Sequence, residues 1–187
     1  MNEPEARQFF DWYSQLEIAT KVFVPGNHST AVEQGLVRAN DYPTVQFLIH
    51  DLMEWNGLKL FGSPYTPRFH DWAYMKKRTQ LDVVWQSVPD DVDILITHGP
   101  PKGVLDLTHD IESKAIVQVG CAALRRHVEE RIKPKIHAFG RFGCSVRDQR
   151  LHRRRQAVSR SWCPLLDWLV GQPSEQRSTR VILRRWT

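Results

Sequence analysis

The sequence predicts an α/β domain with a layered sheet. Short β-branched and aromatic runs alternate with segments of helical periodicity. Polar or charged residues stand directly after several strand ends, where ligand sites form in layered α/β folds. No internal repeat points to a solenoid or propeller instead. The length of 187 residues suits one domain at about 100 to 200 residues each. A hydrophobic content of 41% is enough for a packed core and too high for a disordered chain.

Taken in order, residues 4–16 have helical spacing, with Phe9, Trp12, Tyr13 and Leu16 as the apolar positions. Lys21 to Val24 is a short strand that Pro25-Gly26 turns into a loop. Val45–Ile49 and Leu58–Phe61 are two further strands. Asn56-Gly57 is the hairpin turn between them, with Asp51 to Trp55 lengthening the connection. Two prolines and a glycine keep Gly62 to Pro67 (GSPYTP) irregular. Gln80 to Val88 fits a helix with Leu81, Val84, Trp85 and Val88 on one face. Ile94 to Thr97 is a compact strand, Val119 to Ile132 a helix closed by Pro134, and Ile136 to Phe139 the next strand.

The net charge of +5 is unevenly placed. Residues 1–143 hold 16 Lys and Arg against 18 Asp and Glu, whereas residues 144–187 hold 10 Arg, no Lys and 3 acids. The chain therefore divides at residue 143. Cys121, Cys144 and Cys163 match no zinc spacing and make an odd-numbered, poor disulfide framework. No stretch approaches the roughly 18 to 20 apolar residues of a membrane span. The acidic start lacks the basic end of a signal peptide. The expected location is the cytoplasm.

Three strand ends stand out: Gly26-Asn27-His28, Thr97-His98-Gly99-Pro100-Pro101 and His137-Ala138-Phe139-Gly140. Amide oxygen and imidazole nitrogen both suit Mn, Fe or Zn. In these motifs, in this order, the chain resembles the calcineurin-like metallophosphoesterases, and within them the small metallophosphodiesterase group. The likeness rests on KVFVPGNH, LKLFGSPYTPRFHDWAYM, PDDVDILITHGPPKGVLD and IKPKIHAFG. It implies a layered α/β/β/α sandwich and two divalent metal ions, with a bridging hydroxide attacking phosphorus. It further implies Asn27 and His98 as ligands of the second metal, and His28 as the group that contacts phosphate or protonates the leaving oxygen. The substrate class implied is a small phosphodiester or nucleotide. His137, beside the third strand end, is a candidate to line the substrate site.

The departures from that pattern are specific. Upstream Asp-x-His and Gly-Asp motifs do not occur, so the family's N-terminal strands are expected to be missing. Where the family has Gly-His-x-His, this chain reads Gly140-Arg141-Phe142-Gly143. Arginine stays protonated and cannot ligate a cation, but Arg141 can offset phosphate charge as a substrate-binding group. The expectation is a metallophosphoesterase domain over 1–143 with impaired hydrolase activity. The alternative is an inactive relative that binds phosphate-bearing ligands or a partner. Residues 144–187 read as a non-native or disordered Arg-rich segment. Arg147, Arg150, Arg153 to Arg155 and Arg160, with Trp162 and Trp168, give a weaker nucleic-acid-binding alternative, since no nucleic-acid motif frames them. An unpaired sheet edge would favour self-association.

Overall fold

The structure is a computed structural model that describes residues 1–110, 113 and 115–140, with the backbone of 181–184. Helix α1 (Glu3–Gln15) starts with a capping box in which the Asn2 side chain accepts from the Glu5 amide and the Glu5 carboxylate accepts from the Asn2 amide. Its buried residues are Ala6 and Phe10, with Phe10 at 0% exposure, whereas Trp12 is 43% exposed. The face is thus rotated from the one the spacing predicts. Phe10 is the centre because the rings of Phe23, Tyr42 and Phe47 all lie about 5 Å from it, at 4.8, 5.1 and 4.7 Å.

Strands β1 (Lys21–Phe23) and β2 (Val45–Phe47) pair in parallel beneath α1. This corrects the predicted hairpin. Asn56-Gly57 does make a tight turn, but it joins β3 (Asp51–Trp55) to β4 (Leu58–Ser63). The acidic stretch read as connection is itself the partner strand. Exposed Asp51 and Glu54 mask its half-buried alternation, and they place charge on a sheet edge where an added strand would pair. The helix α2 (Thr30–Glu33) is a single turn and completes the first core with Ala31 and Val32.

The GSPYTP segment is not wholly irregular: β5 (Thr66–Pro67) pairs in parallel with β6 (Met75–Lys76) and closes the base of the loop between them. Helix α3 (Leu81–Gln86) is followed by β7 (Ile94–Thr97), then by a hairpin of β8 (Leu107–His109) and β9 (Ile116–Gln118) that periodicity did not reveal. Helix α4 (Ala122–His127) starts three residues later than the pattern predicts and passes into a π turn over Val128–Ile132. The delay comes from pairing: Ile116–Gln118 is held in β9, the Val119 amide donates to the Asp106 carbonyl, and Cys121 bridges Pro101 in parallel. Gly120 permits this close approach, since a Cβ there would lie 2.7 Å from the Asp106 carboxylate and 2.8 Å from the Pro101 carbonyl, and Cys121 then caps the helix. Lys133 in the left-handed region, φ 45°, and Pro134 end it.

Strand β10 (Ile136–Gly140) enters the main sheet, whose order is β11-β10-β7-β4-β3, with β11 spanning Val181–Arg184. The inner strands β4, β7 and β10 are parallel and in register at their carboxyl ends, Ser63 beside Thr97 and Thr97 beside Phe139. The outer strands run antiparallel. Phe61 and Leu95 of this sheet pack with Leu81 and Trp85 of α3 and Leu124 of α4 in the second core. The architecture is α/β, as the alternation of strands and helices predicts. Among the described residues no helix is long and apolar enough to cross a membrane.

Candidate functional site at the strand ends

His98 follows β7 directly, and the main-chain ladder continues through it. Its amide donates to the Ser63 carbonyl at 3.1 Å, and its carbonyl accepts from the Gly140 amide at 3.1 Å. Both neighbouring strands therefore fix where the imidazole leaves the sheet. Two glycines make the room. A Cβ on Gly26 would fall 2.4 Å from the His98 ring, and one on Gly140 would fall 2.6 Å from the His98 carbonyl oxygen. At Gly26 the sequence suggests a turn residue; its larger role is to let the β1 loop rest against the imidazole.

That loop delivers Asn27. The Gly26 amide donates to Ser29 Oγ at 3.1 Å and the Ser29 amide to the Gly26 carbonyl at 2.9 Å, which makes a tight turn. Asn27 is buried, and its Oδ1 lies 3.0 Å from His98 Nε2. Two residues 71 positions apart are thus brought into direct contact. Burial, with His28 as the second cause, pushes the His98 imidazole down to about 4, so it is neutral near pH 7. The Asn27 oxygen can only accept, so the shared proton sits on His98 Nε2. Asn27 keeps two amide N–H donors for another group.

His28 is exposed beside this pair, its ring 5.0 Å from that of Trp72. The Ala73 amide donates to the Asn27 carbonyl at 3.1 Å, tying the 68–73 loop to the site. Arg68 pairs with Asp71 across that loop. Tyr65 instead points toward the second core, where it meets His50 and Tyr74.

His137 is placed otherwise than expected. It lies inside β10 at 0% exposure, its Nε2 2.9 Å from Thr97 Oγ1. Thr97 donates its hydroxyl to the Gly99 carbonyl at 2.8 Å, so it accepts from His137. Burial pushes His137 down to about 3. It is a buried residue that steadies the turn after β7. Arg141 and the whole of 144–180 lie outside the described residues.

The described side chains do not make up a metal centre. A catalytic zinc site uses about three protein ligands, and Asn27 and His98 are two neutral donors. Among the described residues no group of three or more His, Cys, Asp and Glu is disposed to hold a metal ion.

Proteins named Metallophosphoesterase domain-containing protein 1, from human and mouse, are each 30% identical to this chain over 161 residues, which is 73% of the chain and 48% of each relative. A UPF0046 protein of Caenorhabditis elegans is 33% identical over 105 residues, 54% of this chain and 25% of its own length. The chain is related to the calcineurin-like metallophosphoesterases. It spans about half the length of the human and mouse relatives. No family model matches it. A crystal structure with TM-score 0.51 and 17% identity, over 76% of this chain and 58% of that one, shares the fold. Asn27, His28 and His98 thus stand in a metallophosphoesterase-type scaffold, at the carboxyl ends of β1 and β7.

Proposed function

We propose that this chain binds small phosphate esters at Asn27, His28 and His98. The observation that carries the reading is the 3.0 Å contact between Asn27 and His98 in a scaffold of metallophosphoesterase ancestry. It fixes the Asn27 amide so that its two N–H donors remain for phosphate oxygens. His28 adds a donor beside them that is open to solvent.

Calorimetry with methylphosphonate, in chelator and in manganese, tests this. The expected result is binding in chelator that Asn27→Ala weakens at least tenfold and His98→Ala weakens through the freed Asn27 amide. Absence of binding under both conditions would overturn the reading.

A second reading, metal-dependent hydrolysis of a phosphodiester, is favoured by the family relationship. It requires metal ligands beyond the described set. Manganese-dependent turnover of bis(p-nitrophenyl) phosphate that His98→Ala abolishes would support it; equal inactivity of wild type and variant would count against it.

A further inference from the structure

We infer that Trp72, with Phe69 and His70, forms an aromatic shelf that selects phosphate esters whose alcohol side carries a flat aromatic ring. The inference rests on the phosphate-ester reading of the neighbouring site. Among the described residues, four rings from two loops meet here. The Trp72 ring is 5.0 Å from His28, 4.7 Å from His70 and 5.0 Å from Phe69, while Phe69 and His70 are 4.8 Å apart. The cluster is at the surface, with Phe69 40% exposed and His28 open to solvent.

Three features bind the shelf to the phosphate-binding groups. His28 follows Asn27 directly and touches Trp72, so one ring borders both. The Ala73 amide on the Asn27 carbonyl holds the loop at a fixed height over the site. The Arg68–Asp71 ion pair and the Arg68 amide on the Lys76 carbonyl, 2.8 Å, close the loop that presents Phe69 and His70. Trp72 and His70 are half-buried and so held firmly, and the ring surface they and Phe69 leave at the surface can take an aromatic ligand. The rings stand beside hydrogen-bond donors suited to a phosphoryl group. An ester with an aromatic alcohol would set its phosphoryl end on Asn27 and its ring against Trp72.

The test compares phenylphosphonate with methylphosphonate, neither of which has a P–O ester bond to hydrolyse. Wild type is expected to bind the phenyl compound about fivefold or more tighter, the size of one aromatic contact. Trp72→Ala and, separately, Phe69→Ala are expected to remove most of that preference and to leave methylphosphonate binding unchanged. Phe69 is more exposed than Trp72, so its variant guards against loss of folding in the other. A preference that both variants keep, or a ratio of one in wild type with methylphosphonate still bound, overturns the shelf and leaves the phosphate-ester site standing. Failure of both phosphonates to bind overturns both.

Discussion

The two cores of this molecule are built differently, and the candidate site lies where they meet. The first core is aromatic and short in sequence reach. Phe10 of α1 stacks on Phe47 and meets Phe23 edge-on, over a pair of three-residue strands. The second is mostly aliphatic and is organised by a sheet, with Leu81, Val88, Leu95, Leu124, Val128 and Ile132 around Trp85. The first core contributes Asn27 and His28 through the β1 loop, and the second contributes His98 from β7. A site made by each core alone would be preformed. This one exists only if the cores dock correctly, and its docking elements are the Asn27–His98 hydrogen bond, the glycine contacts, and Gly62. A Cβ on Gly62 would lie 2.3 Å from Leu48 and 2.8 Å from Val24, the residues that leave β2 and β1.

The sharpest way to break the comparison is to empty one core at a time. Phe10→Ala and Trp85→Ala each remove a ring at 0% exposure and are expected to cost about 3–5 kcal/mol. If the cores fold as one unit, both variants lower a single urea transition seen by circular dichroism. A second transition in the Phe10→Ala protein alone would show that the aromatic core melts by itself and takes Asn27 with it.

Smaller changes at the junction come next. Gly26→Ala and Gly140→Ala add one methyl group each and are expected to cost about 1–3 kcal/mol by overpacking. They differ in what must yield. The Gly26 methyl meets the His98 ring, which can swing away from Asn27; the Gly140 methyl meets the His98 main chain, which cannot. Gly140→Ala should therefore give the larger loss of stability, and Gly26→Ala the larger loss of methylphosphonate affinity per kcal/mol of stability lost. Equal ratios in the two variants would mean that the ring position does not control the site.

Legibility in the sequence follows the same division. Strands β1, β4, β7 and β10 were readable because each is a compact apolar run ended by glycine, proline or a polar residue. Residues Asn27, His28 and His98 were readable as candidates because they follow such ends. Other features were hidden. Periodicity placed Phe9, Trp12, Tyr13 and Leu16 on the apolar face of α1, yet the ring partners from β1 and β2 chose Phe10; a helix face is set by what it packs on. Exposed Asp51 and Glu54 disguised β3, so the Asn56-Gly57 turn was credited to the wrong strand pair. His137 stood next to a strand end, but its fate depended on Thr97 in the neighbouring strand, and no local pattern shows cross-strand pairing. The contact between Asn27 and His98 was hidden for the same reason on a longer scale.

Acid sharpens the contrast between a junction histidine and a core histidine. Burial lowers His98 to about 4 and His137 to about 3 from an ordinary 6.5. Both are neutral in the fold while the unfolded chain takes up protons below about 6.5, so stability falls as pH drops from about 6.5 toward 4. Each contributes about 1 kcal/mol over the first pH unit below 6.5. His98→Gln should remove roughly half of that pH slope in thermal melts, and the remainder should persist as the share of His137. An unchanged slope would mean that His98 is protonated in the fold at mild acid and that Asn27 no longer holds it in one tautomer.

The smallest effect belongs to the end of α1 and isolates the first core. Asn2→Ala removes the oxygen that accepts from the Glu5 amide at 3.0 Å and is expected to cost about 1 kcal/mol. The loss should be local: faster hydrogen exchange at the Glu5 and Ala6 amides, with the Leu124 amide, which donates to Cys121 Sγ at the start of α4, unaffected. The start of α1 reaches the site loop through the Met1 terminal amine, which donates to the His28 carbonyl; the Asn2 side chain takes no part in that bond, so the Asn27–His98 contact should hold and phosphonate affinity should stay within about twofold, about 0.4 kcal/mol at 1.4 kcal/mol per decade. If exchange at α4 rises equally, the disturbance has crossed the junction, and the two cores form one cooperative unit in which the site is as stable as the whole domain.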